Sequence, residues 1–256
     1  MMGILAELSP WVLSLAIGVT LAAGFVKGAV GFAMPLIMIS GLATVMPAET
    51  ALAALILPTV MTNVQQSLRQ GGRAAWETIG KYKVFLVALL IMISLSAQLV
   101  TVLPQSWLFI AIGVPIVLFC LMQLRGWSPN LKPEHRLRDE GIVGAIAGFI
   151  GGLSGVWGPP TVAYLTAIHT PKAEQMRVQG VIYGIGALAL VAAHMKSGVF
   201  NAHTAPLSAL MLVPAGIGMV IGGRFHDAMP QKTFKRVTLV ILTVAGLNLI
   251  RKGLLG

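Results

Sequence analysis

Eight stretches of this chain contain no Asp, Glu, Lys or Arg: 8–26, 28–48, 50–68, 84–124, 141–171, 178–195, 197–223 and 237–250. A helix that crosses a bilayer needs about 20 apolar residues. The 84–124 run is long enough for two, with a turn at Leu103-Pro104-Gln105. Only 10% of the 256 residues are charged and 56% are hydrophobic, which excludes both an ordinary soluble domain and a disordered chain. The first apolar run does not read as a secretory signal, because Glu7 precedes it and no Lys or Arg does. The expectation is an all-α polytopic membrane protein of about eight membrane elements, with the lipid bilayer as its surroundings. The loops at about 69–82 and 125–140 are too short for a separate soluble domain.

The rest of the composition narrows the chemistry. One cysteine, Cys120, excludes a disulfide framework, a Cys-rich zinc site and a dithiol redox pair. No H-E-x-x-H or paired-His spacing occurs among His135, His169, His194, His203 and His226, so neither metal nor cofactor is expected. The net charge of +10 would suggest nucleic acid in a soluble protein. Here 17 of the 18 basic residues flank spans, where they report orientation, and no nucleic-acid partner is expected.

The chain also repeats itself. Residues 23–35 read A-G-F-V-K-G-A-V-G-F-A-M-P, and residues 147–159 read A-G-F-I-G-G-L-S-G-V-W-G-P. Six of thirteen positions match without gaps, and Pro47 falls on Pro171 at the same offset. Two copies of about 125 residues are the mark of a repeat-built transporter. The first copy, 1–126, is read as a broken element at 10–44 followed by helices at 49–68, 82–103 and 106–124. A basic connecting loop covers 127–140. The second copy, 141–256, is read as a broken element at 141–169 followed by helices at 177–194, 204–223 and 234–250.

Each broken element is too long for one plain crossing and carries a Gly cluster and then a Pro in its middle, which weaken a helix there. Each is either a tilted, broken helix or a hairpin that enters and returns. Basic residues favour the cytoplasmic side of short loops. With single crossings the basic residues divide 11 to 6; with returning hairpins they divide 14 to 3, only Lys196, Arg251 and Lys252 lying on the poorer side. The sharper split favours hairpins, inverted repeats and both termini outside.

Breaking a helix frees backbone N–H groups, and those at a half-helix N-terminus attract anions. The segments Gly28–Pro35 and Gly152–Pro160 fit this twice, although glycines at such spacing also serve close helix packing. Lys27 is a charge between two apolar runs, where ionisable residues usually mark a pathway or site. The candidate substrate-binding residues are Lys27, Gly28, Gly31, Phe32, Pro35, Asn63, Gln66, Gly152, Ser154, Gly155, Trp157, Pro159, Gln179 and Tyr183. Thr59, Asn63 and Gln66 share one helix face, and Gln179 and Tyr183 share another. His194 is a candidate for proton coupling. Gln98 and Asn248 read as interhelix links, and the acidic and basic residues of 134–140 as a solvated charge run.

The doubled A-G-F-x-x-G-x-x-G-x-x-x-P pattern, followed by Pro47-Ala48-Glu49-Thr50-Ala51 and Arg69-Gln70-Gly71-Gly72, resembles the TauE/SafE permeases. That resemblance spans essentially the whole chain. It implies a secondary transporter of small sulfur-containing anions such as sulfite, sulfoacetate or other sulfonates, often an exporter. Lys27 and Ala33-Met34 depart from the family's usual first segment and leave the substrate open. No G-x-x-x-x-G-K-[ST] loop is present for an ATP motor, so a proton or the membrane potential is the expected driving force. The function expected is alternating-access transport of a small anion across the inner membrane, without enzymatic activity. An anion channel, a carrier of a non-sulfur carboxylate and a membrane accessory factor are the alternatives, and oligomeric state is left open.

Overall fold

In the computed structural model, residues 4–102, 104–127, 133–168, 170–226 and 230–255 are described, and among them every regular element is helical. The first long helix, α1 (Pro10–Val30), shows how sequence sets an element. Ser9 caps it by accepting the Val12 N–H, and Pro10 fills the first position, where an N–H has no partner to lose. It stops at Gly31, whose φ of 82° is left-handed and whose N–H returns to the Lys27 carbonyl. Helix α2 (Met34–Leu42) follows, then α3 (Ala48–Leu68), α4 (Gly72–Lys81), α5 (Lys83–Ser96) and α6 (Gln105–Leu124). The second half holds α7 (Arg136–Ser154), α8 (Gly158–Ala167), α9 (Lys172–Ser197), α10 (Ala205–His226) and α11 (Gln231–Leu255). Helix α7 ends as α1 does, at a left-handed glycine (Gly155, φ 70°) whose N–H bonds back four residues to Gly151.

Among the described residues, three helices are long and apolar enough to cross a membrane: Pro10–Val30, Glu174–Ser197 and Ala205–Phe225. A fourth candidate is α4 and α5 taken together, Gly72–Lys81 with Lys83–Leu99, a pair bent by 82° at its break. Apolar side chains cover the outside of the bundle, with Val87, Ile91 and Leu95 on one exposed stripe of α5 and Val213, Ile217 and Val220 on another of α10. A soluble protein rarely exposes so much contiguous apolar surface, whereas lipid favours it. Four of the five tryptophans are exposed: Trp11 and Trp107 in the first turns of α1 and α6, Trp127 just beyond α6, and Trp76 midway along the short helix α4. Aromatic girdles at both water–lipid interfaces have this placement.

Hydrogen bonds define the two ends of the bundle. At one end Lys81 pairs with Glu174, Arg177 donates to Thr78 and Gln70, and Arg136 donates to the Lys81 carbonyl. The α3–α5 connection and the starts of α7 and α9 therefore meet there. At the other end Glu7 pairs with His203, and Gln98 donates to the Ala193 carbonyl near the finish of α9. Residues 43–47 reach that same end, because α3 runs from there toward Arg69, and they share a cavity with Ser106, Arg251 and Lys252. So α1 begins and α2 finishes at one end, and α7 begins and α8 finishes at the opposite end.

Two tight seams organise the core. Helix α1 packs most extensively on α10, and α7 on α5. A Cβ added at Gly24 or Gly28 would overlap the α10 carbonyls of Ala215 or Met219, and one at Gly218 or Gly222 would overlap the α1 carbonyls of Leu21 or Phe25. Gly144 and Gly148 of α7 lie equally close to Phe85 and Leu89 of α5. Small residues four apart let backbones touch, which is how helices associate where no hydrophobic force distinguishes protein from lipid. Helix α3 crosses α9 between the seams, and α6 pairs with α11 outside them.

Proline breaks inside helices are repaired locally. Pro58 has no N–H, and the Ala54 carbonyl it would have bonded instead accepts the hydroxyl of buried Ser208 on α10. The same Ser208 oxygen accepts the Leu57 N–H. Away from water, this exchange keeps α3 continuous.

Two readings of the loops need correction. The 69–82 segment holds α4, an amphipathic helix with Trp76 on its exposed side, so its short length hid a helical period rather than a coil. Helix α7 starts at Arg136, not 141, and draws the charge run inward. Glu140 is 1% exposed, held by Arg136 one turn earlier (2.8 Å) and by the Tyr164 hydroxyl (3.3 Å). Asp139 is buried too and is bonded by Arg138. Asn248 also differs from its reading as an interhelix link, since it bonds Arg251 in its own helix.

Candidate functional site

The two helix breaks meet in the interior. A Cβ at Gly155 would lie 3.8 Å from the Pro35 Cβ, and one at Gly158 would lie 3.3 Å from the Phe32 ring. Between them is a small, partly open pocket, lined by Lys27, Phe32, Ala33, Pro35, Leu36, Asn63, Gly155, Val156, Trp157, Gly158 and Tyr183. The half-helices α2 and α8 both start at this pocket. The first-turn N–H groups of Met34, Leu36 and Gly158 have no intrahelical carbonyl to bond, so each half-helix presents its positive end there.

Lys27 supplies the formal charge. It is 2% exposed, and its ammonium donates to the Asn63 Oδ1. Asn63 Nδ2 donates in turn to the Tyr183 carbonyl (3.3 Å), which fixes the amide orientation. The Tyr183 hydroxyl donates to the Gly158 carbonyl (3.3 Å), and the Lys27 Nζ stands 5.8 Å from the Tyr183 ring centre, within cation–π range. Among the described residues, no carboxylate lines the pocket. A cation held only by a neutral acceptor and an aromatic face, beside two helix N-termini, leaves positive potential that an anion would complement.

The two breaks are filled differently. Position 151 corresponds to Lys27 in the repeated pattern and is glycine, and the indole of Trp157 packs where its side chain would stand, 2.6 Å from a built Cβ. Position 33 corresponds to Trp157 and is alanine, which leaves the first break open beside Lys27. Ala33 has φ 81°, a left-handed conformation that costs an L-residue roughly 1–2 kcal/mol. Lys27 and Trp157 thus make the two breaks unlike, and the site one-sided.

Of the residues expected from sequence, Lys27, Phe32, Pro35, Asn63, Gly155, Trp157 and Tyr183 line the pocket. Gly28 faces α10, and Gly152 faces Ser96 and Ile93 of α5, so the helix seams account for both. Gly31, Gln66 and Gln179 form a layer beside Met176 of α9. Gln66 Nε2 donates to the Met176 carbonyl (3.2 Å), and a Cβ at Gly31 would meet Met176 Sδ and Gln179 Oε1. The side chains of Ser154 and Pro159 lie outside the described part of the structure. Leu36, Val156 and Gly158 were not singled out, and Ala33 only as a departure from the family pattern; all four lie near the motif glycines and enter the lining through backbone position rather than chemistry.

His194 stands behind the second break. Its Nε2 lies 2.9 Å from the Gly152 carbonyl, so that nitrogen carries the proton, and Nδ1 accepts from Ser197 (3.2 Å). The Gly152 carbonyl is one of the last four of α7 and has no intrahelical donor.

The family model for the sulfite exporter TauE/SafE matches residues 16–249. The chain belongs to the TauE/SafE family. No curated protein and no solved structure matches it. TauE/SafE proteins are membrane transporters rather than enzymes, and the apolar exterior and membrane-capable helices of this member agree with that. A small sulfite-like anion is the kind of substrate the family implies.

Proposed function

We propose that this TauE/SafE protein is a secondary transporter that binds a small sulfur-containing oxyanion, sulfite or a sulfonate, between its two helix breaks and exports it across the inner membrane. The observation that carries this reading is the convergence of Lys27 and two half-helix N-termini on one interior pocket whose described lining holds no carboxylate. On this reading the fold is two inverted repeats of about 125 residues with eight membrane elements. The hairpins α1–α2 and α7–α8 enter from opposite sides, and the basic end of the bundle faces the cytoplasm. The exchanged packing of α1 on α10 and α7 on α5 supports inversion, because each hairpin then docks on the other copy. The seams also suggest the moving parts. Alternating access would rock α1, α2 and α10 against α5, α7 and α8, with α3 and α9 between them and the site at their junction. An inside-negative potential assists export of an anion by about 2.3 kcal/mol per charge per 100 mV, and a proton serves as the candidate coupling ion.

The test is counterflow in proteoliposomes loaded with sulfite, alongside a thermal-shift screen of sulfite, thiosulfate, taurine, sulfoacetate and simple carboxylates. Saturable counterflow and a selective shift are expected. Lys27→Ala is expected to weaken the selected anion at least tenfold, about 1.4 kcal/mol. Unsaturable, voltage-driven current would make the protein a channel instead. Unchanged affinity in the Lys27 variant would remove the lysine from the site.

A further inference from the structure

At the end of the bundle away from the Lys81–Glu174 pair lies a second, larger and more open cavity. It is lined by the 43–47 turn, by Ser106 and Phe109 of α6, and by Arg251, Lys252 and Leu255 of α11. This end carries three basic residues, Lys196, Arg251 and Lys252, and two of them face this one cavity. The dipole of α11 alone would hold a cation anywhere around its last turn, so it does not explain why both converge. One guanidinium N–H of Arg251 is used by Asn248 (3.0 Å), and four others are left by the chemistry of the group. The Lys252 ammonium stands 5.9 Å from the Phe109 ring centre, its stem against apolar lining.

Apart from the carbonyl end of α11, which Arg251 and Lys252 outweigh with full charges, the remaining lining favours negative charge. Ser106 lies in the first turn of α6, whose N–H groups lack intrahelical acceptors. The carbonyls at the finish of α2 do not oppose an anion, because those of Ile39, Gly41 and Leu42 already accept N–H groups from Ala43 to Met46. Among the described residues, no acidic side chain lines the cavity. Ala43, Val45, Met46, Pro47 and Leu255 form an apolar wall beside the cations.

We infer that this cavity is a second anion site, taking an oxyanion group of the sulfite or phosphate type. Arg251 grips it through paired N–H donors, Lys252 adds charge, and the α6 first turn adds backbone donors. Two sources share that chemistry: the transported anion on its way out, and the phosphate of an anionic lipid whose chains lie along the apolar wall. The site is separate from Lys27 by the length of α2, about 14 Å at 1.5 Å per residue over nine residues. It deepens the transport reading only in the first case.

The experiment titrates purified full-length protein in detergent by calorimetry with two probes, sodium sulfite and water-soluble dioctanoyl phosphatidylglycerol. It compares wild type, Lys27→Ala, and the double variant Arg251→Gln with Lys252→Gln. The expected result is at least a tenfold loss of affinity for one probe in the double variant while Lys27→Ala keeps it. Loss of a sulfite step assigns the cavity to the exit route, and loss of the lipid assigns it to a headgroup. Unchanged binding of both probes overturns the proposal. If the double variant does not fold, Ser106→Cys answers the same question. Cys120 is the only native cysteine and is buried, so the new thiol is the reactive one. An anionic methanethiosulfonate should label it faster than a cationic one, and the bound probe should slow it. Faster cationic labelling overturns the inference.

Discussion

At the residue scale the decisive contact is between Lys27 and Asn63. Asn63 can hold the ammonium only because its amide nitrogen is committed to the Tyr183 carbonyl, which turns its oxygen toward the lysine. Asn63→Leu keeps the volume but removes both bonds. Hydrogen bonds to charged groups contribute roughly 1.5–3 kcal/mol, so anion affinity should fall about tenfold or more, with the melting temperature changing less than in a core deletion. Titration calorimetry against the preferred anion, read beside a thermal melt, separates the two effects. Ala33 offers the converse substitution. Ala33→Gly relieves a left-handed backbone, so the protein should become more stable, or at worst unchanged once glycine's added chain entropy offsets the relief, as a melt would show. Sequence made Lys27 conspicuous, because it is a lone charge in an apolar run. It did not reveal the strain at Ala33, because a strained alanine has no signature in composition. His194 stood out only as a polar residue near a helix end; its bond to Gly152 joins residues 42 apart.

At the element scale the helices are continuous where neighbours replace missing hydrogen bonds. Ser208 does this for Pro58 in α3. Ser208→Ala should leave the Ala54 carbonyl and Leu57 N–H unpaired in the core and cost about 1–3 kcal/mol, seen as a lower melting temperature in detergent with sulfite binding retained. The seams make a sharper demand. Gly222→Leu would force α10 away from the Phe25 carbonyl of α1, and overpacking of this kind typically costs 1–3 kcal/mol or more. If the seam is also the rigid unit of transport, sublethal variants there should lower the counterflow rate more than the binding constant. Glycine spacing in the sequence carried two meanings at once, breaks and seams. Gly31 and Gly155 proved to be the breaks, and Gly24, Gly28, Gly148 and Gly152 the seams; only the partner helix distinguishes them. Helix α4 escaped the sequence reading because ten residues hold fewer than three turns, too few for a run defined by absent charge.

At the scale of the whole molecule the charge asymmetry and the hairpin geometry point the same way. The end that gathers Arg69, Arg73, Lys81, Arg136, Arg138 and Arg177 should be cytoplasmic. Reporter fusions at residue 255 and in the 43–47 turn should then be active outside, and one in the 69–72 turn inside. A C-terminal reporter active only in the cytoplasm would reject the orientation. The apolar runs made the membrane class legible from sequence alone. Which helices touch was not legible, since lipid-facing and protein-facing residues in such a chain are equally apolar. The tryptophans turn this into an optical property. Four stand at the rim of the bundle, and Trp157 alone is enclosed, its ring 6.3 Å from that of Tyr183 beside the pocket. Brominated lipids or a nitroxide at headgroup depth should extinguish emission from the four and spare the fifth. The light that survives would come from one indole in contact with the pocket, giving the native protein an unlabelled gauge of its own occupancy.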